Sequence, residues 1–151
     1  FDFGLNKEIG LASTLLDESF IPVLPDDVRG GIPCAASYFM TIDSPTNKAF
    51  LERYRAKFGN DVIVTNISEA TYDTVHLWRL AIEKAGKIDK EAMIDALPDV
   101  SFDAPQGNIK IQRGSNHAIL HMFIADSKAD STFDVLEDFG AVDPIADCTI
   151  S

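Results

Sequence analysis

Between Ser44 and Pro98 the chain reads as three helices in succession, and beyond Pro98 the hydrophobic period changes from helical to extended. Ser44 followed by Pro45 is an N-cap with proline at the first helical position, where a missing N–H breaks no intrahelical bond. Ala49, Phe50, Tyr54 and Phe58 form an i, i+4 stripe, and Gly59 ends the helix. Ser68 is expected to cap a second helix that runs to Gly86. Its buried face is expected to be Thr71, Thr74, Val75, Trp78, Ala81, Ile82 and Ala85. Asp89 caps a third helix with Met93, Ile94 and Leu97 inward, closed by Pro98. Ile109 and Ile111 then alternate with Lys110 and Gln112, the two-residue period of a half-buried strand. Residues 118–125 and 132–136 read as two further strands, with 127–130 as the turn of a hairpin. Strand–helix alternation with a β-rich end predicts an α/β protein with mixed sheet edges.

The first third is less regular. Residues 9–12 predict a short strand, with Ser13 and Thr14 at its carboxyl end. Asp17 and Glu18 suit the first turn of a helix, where acids meet the positive end of the dipole, and Pro22 and Pro25 cut that helix short. Gly30-Gly31 turns into 32–39, an apolar run expected of a strand covered on both faces, and 62–64 predicts one more short strand. There is no internal repeat and no low-complexity linker.

Charge narrows the partners. Thirteen Lys and Arg stand against 24 Asp and Glu, a net charge of −11, which argues against nucleic acid and anionic membrane. No apolar run approaches the ~20 residues of a bilayer span, so no direct membrane insertion is expected. The chain opens on Phe1-Asp2-Phe3 without an initiator Met or a recognisable signal peptide, as a mature product or a fragment would. Cys34 and Cys148 allow one disulfide; alternatively Cys34 is a small buried apolar residue and Cys148 a tail thiol.

The candidate chemistry is sparse. Glu69, Asp73 and His76 fall at i, i+4 and i+7 on the polar side of the second helix. They would serve a divalent metal, and hence a metal-dependent enzyme, or form a solvated face; no fourth ligand is fixed by spacing. His117 and His121 would stand about 13 Å apart along a strand, too far to share one ion. Gly30-Gly31 precedes a strand rather than a helix, so it makes no phosphate cradle. No nucleophile elbow or Cys–His signature is present, and the residues imply no cofactor and no catalytic group. Ser13-Thr14 offers two hydroxyls where open α/β sheets place ligands; the competing reading is a simple helix cap.

Three stretches resemble the type I periplasmic solute-binding proteins, above all the branch that binds short-chain amides and urea. They are Ser37-Tyr38-Phe39 leading to Ile42-Asp43-Ser44-Pro45 and Ala49-Phe50; Glu69-Ala70-x-Tyr72; and Phe102-Asp103-Ala104-Pro105-Gln106-Gly107 with Asn116-His117. The resemblance implies a Rossmann-like α/β fold of two lobes joined by three crossings, here incomplete. Residues 1–38 would belong to the second lobe and 39–43 to a hinge crossing. Residues 44–104 would belong to the first lobe, and 105–151 would return to the second lobe and the tail. It further implies a non-enzymatic, periplasmic component that delivers a small polar solute of the amide or urea type to ABC permease subunits. The alternative is a cytoplasmic amide sensor read by a protein partner. Ser13 and Thr14 would touch the solute from the second lobe, Tyr38 and Phe39 would lie near the hinge, and the exposed half-lobe surfaces would favour self-association.

Overall fold

The structure is a computed structural model that describes residue 4 and residues 8–144. Five strands and three α-helices follow in the order β1 (Pro33–Ala36), α1 (Pro45–Phe58), α2 (Asn66–Ala85), α3 (Lys90–Ala96), β2 (Ser101–Ala104), β3 (Gly107–Ile111), β4 (Ala118–Ser127) and β5 (Phe133–Val142).

The three helices begin on side-chain caps. The Asn47 amide donates to Ser44 Oγ at 3.0 Å to start α1 on Pro45. Asp89 Oδ1 accepts from Ala92 to start α3. In α2 the cap is Thr65 rather than Ser68: the Ser68 amide donates to Thr65 Oγ1 at 3.2 Å, one turn earlier than the sequence suggests. Gly86 ends α2 in the left-handed region, with φ at 68°, where glycine has no Cβ to clash.

The face that α2 buries is only partly the expected one: Ala81 is buried as expected, but Thr71 and Thr74 are exposed. Glu69, Asp73, Leu77 and Ala81 turn inward, while Val75 is 63% and Trp78 58% exposed. Hydrogen bonds to Gln106 make the burial of two acids tolerable, and no described element covers the apolar stripe from Ile67 to Trp78. Phe58, also expected inward, is exposed at the end of α1.

The expected strand at 9–12 is reduced to a single parallel bridge between Ser13 and Cys34. The helix expected after it is replaced by two 3-10 turns, Ile21–Val23 and Asp26–Val28. Local polar groups claim the amides first: Ser13 Oγ accepts from Leu15 and Leu16, and Asp17 Oδ1 accepts from Ser19. Residues 62–64 form no strand; the Val64 amide instead bonds the Met40 sulfur at 3.3 Å. The apolar run 32–39 is a strand only over β1, and Tyr38 and Phe39 are buried in an irregular segment beyond it.

All four named strand pairings are antiparallel. β4 is the common strand, pairing with β1 through 123–126, with β3 through 118–119 and with β5 from Leu120 to Ser127. The expected β4–β5 hairpin is present, and β5 runs six residues past its expected end at Leu136. Ile21, Cys34, Tyr38, Phe39, Phe50, Val64, Phe123 and Phe133 form the larger core cluster, with the Phe39 and Phe133 rings 4.7 Å apart. A smaller cluster of Leu77, Ala104 and Ile109 lies between α2 and the β2–β3 pair. Cys34 is buried and its thiol is pushed up to about 11, first by desolvation; Cys148 lies outside the described residues.

Candidate functional site

Ser13 is held by the backbone of β1: its N–H donates to the Pro33 carbonyl and its carbonyl accepts from Ala35, both at 2.9 Å. Its Oγ accepts from the Leu15 and Leu16 amides, so it does act as a local cap. Thr14 is exposed and leaves its hydroxyl to solvent. Two residues beyond Ala35, buried Ser37 donates to Asn66 Oδ1 at 2.7 Å, which ties this edge to the first residue of α2. Ser13 thus pairs with β1 opposite Cys34, and Ser37, one residue past the end of β1, meets the first residue of α2. Neither Ser37 nor Asn66 is read as a site residue from sequence, because the contact spans 29 residues and no local pattern marks it.

Tyr38 and Phe39 are core residues, 1% and 0% exposed. The Tyr38 hydroxyl donates to Asn47 Oδ1 at 2.9 Å, and Asn47 Nδ2 donates to the carbonyls of Met40 and Ile42. Burial, then the Glu69 and Glu18 carboxylates, push the phenol above its ordinary range. The segment 39–43 is fixed from a second side by Glu18, whose Oε1 accepts from the Met40 amide at 2.7 Å.

The turn at 105–107 lies beside that segment, joined to it by Ser44 Oγ, which donates to the Pro105 carbonyl at 3.3 Å. Gln106 is 3% exposed and points into α2. Its backbone N–H donates to Glu69 Oε1 at 3.3 Å, and its Nε2 donates to Glu69 Oε2 at 3.1 Å and to Asp73 Oδ2 at 3.2 Å. Burial first, and for Glu69 also the adjoining Asp73 charge, raise both carboxyls above the usual carboxylate range. His76 does not join them; its ring stacks on Phe102 with centroids 4.4 Å apart, and burial lowers its pKa. The expected metal face is therefore an internal carboxyl–amide cluster, and no group of three or more metal-ligating side chains occurs among the described residues.

A cavity of about 530 Å³ opens between these two segments and the β4–β5 hairpin, lined among others by Thr41, Ser44, Gln106, His121, Phe133 and Asp138. His121 Nδ1 stands 3.3 Å from Asp138 Oδ1. His117 lies apart, exposed in the turn before β4, with its carbonyl accepting from Gln112. Ser13 and Thr14 do not line this cavity.

Residues 3–147 match the model of the periplasmic binding protein domain. The chain belongs to that family. As a type I periplasmic-binding-protein chain it is similar to a Rhodopseudomonas palustris ABC-transporter solute-binding protein solved with 4-hydroxybenzoate. The two are 30% identical with a TM-score of 0.76, over 93% of this chain and 40% of that one. It is 27% identical over 118 residues to a Brucella abortus Leu/Ile/Val-binding protein homolog, covering 77% of this chain and 30% of the relative. It is also 26% identical over 101 residues to a Geobacillus stearothermophilus protein named limonene hydroxylase, covering 67% of this chain and 18% of that one. This periplasmic-binding-protein chain thus spans less than half the length of the relatives it matches. The solved relative is a solute-binding component, not an enzyme. The α/β fold expected from the sequence is the fold these structures share. No helix among the described residues is long and apolar enough to cross a membrane.

Proposed function

We propose that this chain is part of the solute-binding component of an ABC-type uptake system, non-enzymatic and periplasmic, which hands a small organic solute to permease subunits. The observation that supports the reading is the Ser37–Asn66 contact, which joins the segment after β1, the strand that Ser13 pairs with, to the start of α2. In this reading the two sides belong to different lobes: 1–38 and 105–151 to one, 44–104 to the other, with 39–43 and the turn at 105–107 as crossings. A solute seated there meets hydroxyls from one lobe and a helix N-terminus from the other, and closure excludes water around it.

The helix start favours a carboxylate-bearing solute. That agrees with the 4-hydroxybenzoate of the R. palustris relative and the name of the Brucella one. A short-chain amide or urea is the second reading, favoured by the hydroxyl pair at 13 and 14, which can both donate to and accept from an amide. The hydroxylase name is not carried over, because the shared stretch is a small part of that protein. A cytoplasmic amide sensor shares the same site and differs only in the partner that reads its closure.

Titration calorimetry with 4-hydroxybenzoate, leucine, acetamide and urea tests both levels. The 151-residue chain alone is expected to give no measurable heat, because the clasp needs the rest of both lobes; tight binding by this chain alone overturns the two-lobe reading. In a chain completed with the missing lobe portions, one of the four should bind, and Thr14→Val should weaken it by about 1 kcal/mol. Unchanged affinity removes Thr14 from the site.

A further inference from the structure

The proposed site uses neither Glu69 nor Asp73, although both are buried, at 0% and 2% exposure, one helical turn apart on α2. Each takes one hydrogen bond from the same Gln106 amide nitrogen. Asp73 Oδ1 has no partner, and Gln106 Oε1 is likewise buried without one. No lysine or arginine acts on either acid. The ionisable groups nearest them are the Tyr38 phenol, from the segment after β1, and His76, the next turn of α2; Arg55 of α1 acts on Tyr38, and Arg79 of α2 and Arg53 of α1 act on His76, rather than on the acids. The Glu18 charge also acts on Tyr38. Two adjoining buried carboxylates without a cation cannot both stay ionised cheaply; a single proton on one of them converts repulsion into a hydrogen bond.

We infer that Glu69 and Asp73 hold one proton between them, and that this proton fastens the turn at 105–107 to α2, so that the junction loosens when the proton is lost. That this junction is a lobe crossing rests on the function proposed above; the shared proton does not. Gln106 is the positioning residue, since among the described residues its backbone and side chain make the hydrogen bonds that link the turn to the pair. The raised carboxyl range, caused chiefly by burial, keeps the proton in place through neutrality.

Carboxyl-carbon NMR of this chain without solute, from about pH 3 to about pH 10, tests it. One of the two carboxyls should titrate above neutrality, and the Gln106 amide shift should follow the same step. Exchange protection of the Gln106 and Gly107 amides, corrected for intrinsic rate, should fall about tenfold across it. In Glu69→Gln the alkaline step should vanish and protection should stay level; Asp73→Asn serves the same purpose if the first variant does not fold. Both carboxyls titrating in the ordinary acid range, or Gln106 protection indifferent to the step, overturns the inference. Because no solute is present, that failure is distinct from failure of the solute-binding reading.

Discussion

The imidazole of His121 packs against Gly107, so close that a methyl group on its α-carbon would stand 2.6 Å from Nε2. Gly107 also has φ at 139°, a conformation side chains rarely adopt. Gly107→Ala is therefore expected to destabilise the chain by roughly 2–5 kcal/mol, read from the midpoint of urea unfolding. Adding His121→Ala should recover only the steric part, leaving the backbone cost. Full recovery would show that the φ value imposes no strain.

Asn47 is the second fixed point. It is 1% exposed and satisfies the Tyr38 hydroxyl and two backbone carbonyls at once. Asn47→Ala leaves all three without their partner and should cost roughly 2–4 kcal/mol, against about 1 kcal/mol for Tyr38→Phe, which removes one bond and keeps the ring. Equal losses in chemical denaturation would mean that the carbonyls find water instead.

Stability should fall as pH rises. In the folded chain Glu18, Glu69 and Asp73 are all held above the ordinary carboxylate range, with burial the largest cause. The folded state therefore keeps protons that the unfolded chain releases. Their contribution is complete below about pH 4 and is lost as pH climbs through the raised values. Glu18→Gln should flatten the slope of the urea midpoint against pH above the ordinary carboxylate range. A midpoint that rises between about pH 5 and pH 9 would contradict the burial of these groups.

The two faces of α2 should respond unequally. Leu77→Ala opens a void beside Ala104 and Ile109 and should cost roughly 2–4 kcal/mol. Trp78→Ala, on the exposed stripe, should change folding stability by under about 1 kcal/mol while reducing self-association in sedimentation, since Trp78, Ile82, Ile88 and Met93 line an open apolar groove.

The helices were legible in the sequence because caps and stops are local: Ser44, Pro45, Gly59, Gly86 and Asp89 act on amides within a turn. The β4–β5 hairpin was legible for the same reason. The buried side of α2 was not. Hydropathy assigns Val75 and Trp78 inward, and only the distant Gln106 makes room for Glu69 and Asp73 there. The site divides in the same way. Ser13 and Thr14 stood out as adjacent hydroxyls after an apolar run, whereas Ser37 and Asn66, 29 positions apart, acquire meaning only once the chain between them has folded.

β4 has a consequence for how the chain comes into being. Its partner β1 lies about 90 residues earlier, with Pro33 opposite Asp126 and Ala36 opposite Phe123. During synthesis β1 therefore leaves the ribosome with an open edge and waits while all three helices are made. At about 5–20 residues per second that interval lasts several seconds, long compared with helix formation. The helices can form on the nascent chain, but the sheet cannot close until Ala118–Ser127 has been translated, so the exposure of β1 to aggregation or chaperone capture is set by the rate of elongation.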